Sequence, residues 1–183
     1  MMGDPPATRS LTLPFDLQPF LSGTLVRLSP LREADRDALF TVAADPLIWE
    51  QHPVRERYQE AIFRDFFNES LASGGALLVQ DQIDGRVIGS SRFYGYDEAA
   101  SEVEIGWTFL ARSHWGGRYN REMKHLMLNH AFRFVERVVF LVRPRNLRSR
   151  RAVEKIGGVL SGSRPDGRGG ESLVYEITRS TNL

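Results

Sequence analysis

Apolar residues change their spacing several times along this chain, and each change marks an expected element. Leu25, Val26 and Leu28 give a strand-like run from near Thr24, and Ser29-Pro30-Leu31-Arg32-Glu33 leads into a helix that turns Leu39, Phe40 and Val42 inward. Pro46 opens a further short helical piece. Over residues 55–72, Ile62, Phe63, Phe66 and Phe67 fall on one helical face while the other faces carry charge, and Gly74-Gly75 stops the helix.

The pattern then turns β-like. Residues 76–83 and 86–96 are two β-rich runs joined by Asp84-Gly85, a dipeptide suited to a two-residue hairpin turn. Residues 102–110 add a third run after the turn-like segment 97–101, which completes an antiparallel meander. Beyond Gly116-Gly117, the positions Tyr119, Met123, Leu126, Met127, Ala131 and Phe134 recur with helical spacing. Val138-Val139-Phe140-Leu141-Val142 is short and β-branched and reads as a buried strand. A helix over residues 147–156 is expected to end at Gly157-Gly158, and residues 159–163 and 173–177 form a last strand pair around Pro165-Asp166-Gly167. There is no internal repeat.

Length and composition narrow the picture. At roughly 150 residues per domain, the 183 residues make one domain, expected over residues 21–183. Residues 1–20 hold four of the nine prolines (Pro5, Pro6, Pro14, Pro19) without a sustained period, and read as a tail or strap. With no cysteine, the chain has no disulfide framework, thiolate metal site or cysteine nucleophile, which fits a reducing compartment. Its 24 basic and 23 acidic side chains leave a net charge of +1, so any anion site must be local, and general nucleic-acid binding is disfavoured. The longest apolar run is the five residues from Val138, far short of the roughly 18 that a spanning helix needs. The expectation is a soluble, cytoplasmic protein without a membrane partner, as a monomer or homodimer.

Several constellations carry chemistry. Trp115-Gly116-Gly117, between a strand and a helix, offers unpaired N–H groups at the positive end of a helix dipole, where a pyrophosphate can bind. Arg143, Arg145, Arg148, Arg150 and Arg151 suit phosphate groups, though such a run also fits a solvated helix face. Glu102 and Glu104, two apart on a strand, share a face opposite Val103 and Ile105, and either carboxylate can serve as a general base, though the pair also fits a solvent-facing strand edge. Trp49, His52, Tyr58 and Tyr94 have the apolar bodies and polar tips of a pocket wall. His125 and His130 lack the spacing of a zinc motif, so no metal is expected, and neither a Ser-His-Asp assignment nor a nucleotide-triphosphate loop is supported.

The segment from Asn146 to Gly158 resembles the N-x-x-S-x-x-A-x-x-K-x-G signature of the GNAT superfamily of acetyl-CoA-dependent N-acetyltransferases. Glu104-Ile105-Gly106-Trp107 resembles that family's central strand, the segment from His114 to Glu122 its pyrophosphate loop, and the segment from Glu171 to Ile177 its last strand. The pattern is nearest the branch that includes ribosomal-protein N-terminal acetyltransferases. The resemblance implies an α/β fold with a mixed, twisted sheet of about seven strands flanked by helices, splayed after the strand 102–110 to admit acetyl-CoA. It implies coenzyme contacts from Phe109, Leu110, Trp115, Gly116, Gly117, Arg118, Tyr119, Asn120, Asn146 and Ser149, with a backbone N–H of Phe109 or Leu110 polarising the thioester. Glu104 becomes the preferred base and Glu102 the alternative, while Trp49, His52 and Tyr94 shape the acceptor pocket. The loop departs from the family's G-x-G by carrying Arg118 at the second glycine position. Many members protonate the departing thiolate with a tyrosine, but Val153 stands there; as in the ribosomal-protein branch, Ser149 inherits the acid role. The implied activity is acetyl transfer to a primary amine, either a protein N-terminus or a small molecule. The rivals are a non-catalytic acyl-CoA sensor and an RNA-binding module built on the arginine run.

Overall fold

The structure, a computed structural model, describes residues 14–165 and 170–181. Its centre is one eight-stranded sheet in the order β1-β2-β3-β4-β5-β6-β8-β7. In chain order the elements are β1 (Leu21–Ser22), β2 (Val26–Pro30), α1 (Arg36–Ala43), α2 (Glu60–Ala72), β3 (Ala76–Asp81), β4 (Val87–Asp97), β5 (Glu102–Leu110), α3 (Arg118–Ala131), β6 (Arg137–Val142), α4 (Leu147–Glu154), β7 (Val159–Pro165) and β8 (Glu171–Thr178). Every neighbouring pair is antiparallel except β5 and β6.

That parallel pair positions the site. β5 and β6 are in register only at Glu102↔Arg137, Val103↔Val138 and Glu104↔Val139, after which they diverge and leave the rest of β5 without a partner on that side. On its other edge β5 carries a bulge: Ser90 opposes Phe109 and Arg92 opposes Gly106, so Ser91 alone faces Trp107 and Thr108. Trp107 takes a positive φ of 50°, a strained conformation for a bulky side chain. The extra residue lets Gly106 and Trp107 share the face of α1 and α2, while Thr108 and Leu110 turn toward α3.

Alternation along β5 divides the interior into two cores. Val103 and Ile105 pack with Met123, Met127, Leu128 and Val153 of α3 and α4, whereas Phe109 packs with Leu39, Trp49, Phe63, Phe66 and Phe67 beside α1 and α2. α3 binds through a stripe at helical spacing whose buried members include one charge, Lys124.

Local chemistry shifts several expected elements. The sheet has eight strands rather than about seven, because two-residue β1 pairs with β2 through Leu21↔Leu28, too short to leave a pattern. α2 begins at Glu60, since Gln59 is extended at φ −83°, ψ 133°, and residues Arg55–Tyr58 form a separate 3-10 turn. Ile62 is exposed, and three phenylalanines suffice for the buried face of α2. The β3–β4 loop is wider than two residues: Asp81 N–H bonds the Arg86 carbonyl at 2.9 Å, and the Asp81 carboxylate accepts from Ile83 N–H at 2.7 Å inside the loop. α3 stops at Ala131 and α4 at Glu154, the latter closed by Gly157 at φ 97° and by Gly158 N–H on the Val153 carbonyl.

Of the expected strap, residues 1–13 lie outside the described residues, as do Asp166 and Gly167 of the last turn. Residues 14–20 are tied to the sheet: Phe15 is buried among Phe93, Tyr96, His130 and Phe134, and a His130 ring nitrogen lies 2.7 Å from the Asp16 carbonyl. No helix among the described residues is long and apolar enough to cross a membrane.

Candidate active site

The mouth of the splay is built from backbone. Gly116 and Gly117 both take positive φ, 101° and 105°, and Gly117 is the N-cap of α3. Arg121 N–H makes the first intrahelical bond, to the Gly117 carbonyl, so the preceding N–H groups of the first turn stay open to a ligand. Arg118 therefore opens the helix as an exposed residue, and the two glycines absorb the unusual backbone angles. Trp115 donates its indole N–H to the Leu110 carbonyl at 2.9 Å, and its ring carries the Arg148 guanidinium at 4.4 Å. Arg148 also donates to the Ile48 carbonyl at 2.5 Å, tying the start of α4 to the turn before Trp49.

Behind this mouth lies a cavity of about 280 Å³ lined by Trp49, Phe109, Trp115, Gly117, Asn146 and Ser149 among others. Asn146 caps α4, accepting Ser149 N–H at 3.1 Å. Ala111 N–H bonds the Ile88 carbonyl and Phe109 opposes Ser90, so the alternation of an antiparallel ladder spends the Phe109 and Ala111 N–H groups on β4. The Leu110 N–H then faces the splay.

A second cavity of about 170 Å³ continues inward between β5 and β6. It shares Trp49, His52, Thr108, Asn146 and Ser149 with the first, so the two are halves of one cleft. Arg57, Ile105, Gly106, Phe140, Lys124 and Val153 are among the rest of its wall. Arg57 is buried, stacks over Phe66 at 4.3 Å and lies 3.0 Å from His52 Nε2. Lys124 is 5% exposed and donates to the hydroxyls of Thr108 at 2.5 Å and Ser91 at 3.1 Å.

The two glutamates of β5 sit in different electrostatic surroundings. Glu102 is buried and takes both guanidinium nitrogens of Arg164, at 2.8 and 3.1 Å, and Arg137 at 2.8 Å. The Arg164 hydrogen bonds, helped by Arg137, hold its carboxyl below the usual range. Glu104 is half-buried and has no such clamp: burial pushes it up to about 7, against the opposing pull of Arg164 and Arg92. It leans over Gly106, where a Cβ would come within 3.0 Å of its Oε1, and Gly106 lines the inner cavity.

The structure thus brings Trp49, His52, Phe109, Leu110, Trp115, Gly116, Gly117, Asn120, Asn146 and Ser149 to one cleft, with Glu104 against its inner wall. Arg118 and Tyr119 are not part of either cavity lining, and the Tyr119 hydroxyl bonds Asp81 at 3.1 Å. Tyr94 opposes Glu104 on β4 but is 47% exposed, edge-on to Trp107 at 5.0 Å. Of the arginine run, Arg148 and Arg150 are engaged within the protein, Arg150 with the Tyr175 hydroxyl at 3.0 Å. Thr108, Arg57 and Lys124 were not singled out by pattern; for Lys124 the signal was a charge inside the stripe of Met123, Met127 and Leu128. Among the described residues, no group of three His, Asp or Glu side chains is placed to hold a metal ion.

The mixed sheet opens at its one parallel pair, and the glycine-bounded N-terminus of α3 lies at that opening. The sequence profile of the acetyltransferase (GNAT) domain matches residues 26–159, and the chain belongs to that family. A putative acetyltransferase from T. thermophilus is 31% identical, over 88% of this chain and 90% of that one, with a TM-score of 0.71. A GCN5-related N-acetyltransferase from Brucella melitensis superposes with a TM-score of 0.80 at 21% identity, covering 92% and 82% of the two chains. Mycobacterium smegmatis RimJ in complex with CoA-disulfide gives 0.66 at 21% identity, over 85% and 82%. The comparison with curated proteins finds no match. The α/β fold and the family resemblance read from sequence both hold.

Proposed function

We propose that this protein moves the acetyl group of acetyl-CoA to a primary amine by direct attack in a ternary complex. The observation that carries this reading is the continuity of the cleft: a phosphate-ready helix terminus at one end, an unpaired strand edge along it, and, behind Gly106 of the inner wall, the Glu104 carboxylate. The pyrophosphate meets the N–H groups after Gly117, and the pantetheine arm runs along the free edge of β5 past Asn146 and Ser149. The Leu110 N–H polarises the thioester carbonyl, where negative charge develops in the transition state.

Glu104 takes the proton of the attacking amine. A base is most effective when its pKa lies near the working pH, and burial brings Glu104 to about 7. Glu102, committed to two arginines and held acidic, is the poorer candidate. Trp49 and His52 wall the acceptor end, and Ser149 is the family-based candidate for returning a proton to sulfur.

The test is thiol release from acetyl-CoA with a panel of small amines and N-terminal peptides, and mass-spectrometric detection of the acetylated product. Product from at least one amine class supports the reading and names the acceptor. Coenzyme binding with no thiol release from any amine or from cell extract would overturn it in favour of an acyl-CoA sensor.

A further inference from the structure

The inner cavity contains a charge that the reaction as described above does not use. Lys124 projects from α3 into the wedge where β5 and β6 separate, and lines that cavity with Ser149 and Val153. It is 95% removed from solvent with no carboxylate as partner among the described residues; its contacts there are the Ser91 and Thr108 hydroxyls, themselves 2.8 Å apart, and the Phe140 ring 5.7 Å from Nζ. These account for two of the three ammonium hydrogens. Thr108 belongs to both halves of the cleft, so the ammonium is held at the junction where coenzyme and acceptor meet.

We propose that Lys124 is the general acid that protonates the coenzyme sulfur as it leaves, with Thr108 and Ser91 positioning its ammonium. The proposal rests on the acetyl-CoA reading above. When the tetrahedral intermediate collapses, the C–S bond breaks with its electron pair on sulfur, and one Lys124 N–H proton goes to that sulfur. Lys124 is left neutral and recovers a proton from solvent, while Glu104 gives up the amine's proton, so the cycle balances.

Chemistry favours this group over a hydroxyl. A serine has little acidity to offer a thiolate whose own pKa is about 8.5. Burial alone pulls Lys124 down to about 7, with no nearby charge contributing. From the elements packed around it come Ser91 of β4, Thr108 of β5 and Phe140 of β6, and the charged or titratable groups lining the same cavity are His52, Arg57 and Arg143. A purely structural lysine here would be a poor choice, because Lys124→Met leaves the two hydroxyls bonded to each other and removes a buried charge.

The decisive experiment titrates the thiol of bound CoA by the ultraviolet absorbance of its thiolate, in the wild-type protein and in Lys124→Met. An adjacent ammonium favours the thiolate, so while Lys124 is charged bound CoA should carry several-fold more thiolate in the wild type than in the variant. Because the lysine itself loses its proton at about 7, the comparison is read as thiolate content at and below that pH, where the wild type should exceed the variant. It needs only the coenzyme, so failure to find an acceptor leaves it standing, whereas failure of CoA to bind sinks the acetyl-CoA reading itself. Where turnover is measurable, Lys124→Met should lower kcat at least about tenfold with unchanged CoA affinity and an undiminished Tm. Lys124→Arg, which keeps the charge but cannot release a proton, should restore the thiolate excess without restoring kcat. Identical thiol titrations, unaltered kcat in Lys124→Met, full kcat in Lys124→Arg, or a lowered Tm with no thiol effect would each overturn the assignment.

Discussion

The two halves of β5 obey opposite rules. At Glu102 and Val103 the strand is paired on both edges, and its buried charge, Glu102, is clamped by Arg164 and Arg137. From Glu104, its last pair with β6, to Leu110 the strand parts from β6, bulges against β4 and strains Trp107, and the charges there, Glu104 and the facing Lys124, have no ion-pair partner of opposite sign within contact distance among the described residues. Both halves contain buried residues. A folded chain leaves backbone groups and charges uncompensated at a cost, and the cost here falls where the proposed coenzyme and acceptor would supply the missing partners. Compensation, rather than burial, separates the part of β5 that holds the sheet together from the part that works.

The largest expected break in this contrast is Glu104→Gln. It keeps size and hydrogen bonding but removes the base, so kcat should fall on the order of 10²-fold near neutral pH, with coenzyme affinity unchanged. Burial raises the folded pKa of Glu104 above the ordinary 4.5, so the charged form costs stability increasingly as pH rises through 4.5 to about 7. At pH above about 7 the glutamine variant should therefore melt no lower than the wild type, and a thermal melt checks it.

Next in size is Gly116→Val. No atom lies within 4 Å of the added Cβ, so the penalty is the backbone at φ 101°. Relaxation of that strain should displace the N–H groups at the α3 terminus and weaken acetyl-CoA about tenfold or more, as measured by calorimetric titration, with the domain still folded.

The smallest effect on chemistry belongs to Glu102→Gln, which should leave kcat within about twofold. Its cost is structural: two arginines lose their carboxylate, worth no more than about 1 kcal/mol because both remain partly open to solvent. The depressed folded pKa of Glu102 means that this stability is present above the ordinary 4.5 and is lost as pH falls through the folded value. The wild-type advantage in Tm over this variant should shrink in acid.

Much of this was legible in the sequence. The bounds of β5 fall where its alternating pattern placed them, and Gly116-Gly117 marked the start of α3. Alternation put Glu102 and Glu104 on one face but had no means of telling them apart, because the clamp on Glu102 arrives from Arg164, 62 residues away. The splay beside β5 was expected only through the family resemblance; residue spacing did not show that β6 leaves β5 at Glu104, since pairing partners are set by the whole sheet and a bulge adds one residue without changing composition. Lys124 vanished into a helical pattern that counted apolar residues only. Local spacing reports elements, while compensation of charge is a property of contacts between them.

The most direct test of the contrast is the pH dependence of kcat for the wild type beside Glu104→Gln. The uncompensated carboxylate should give the wild type an acidic limb centred near pH 7, following the raised pKa of about 7. In Glu104→Gln that limb should vanish, leaving a low rate that climbs with pH as solvent supplies free amine. A limb that survives in the variant, or one centred near the ordinary carboxylate value of 4.5, would contradict the assignment of the working half of β5.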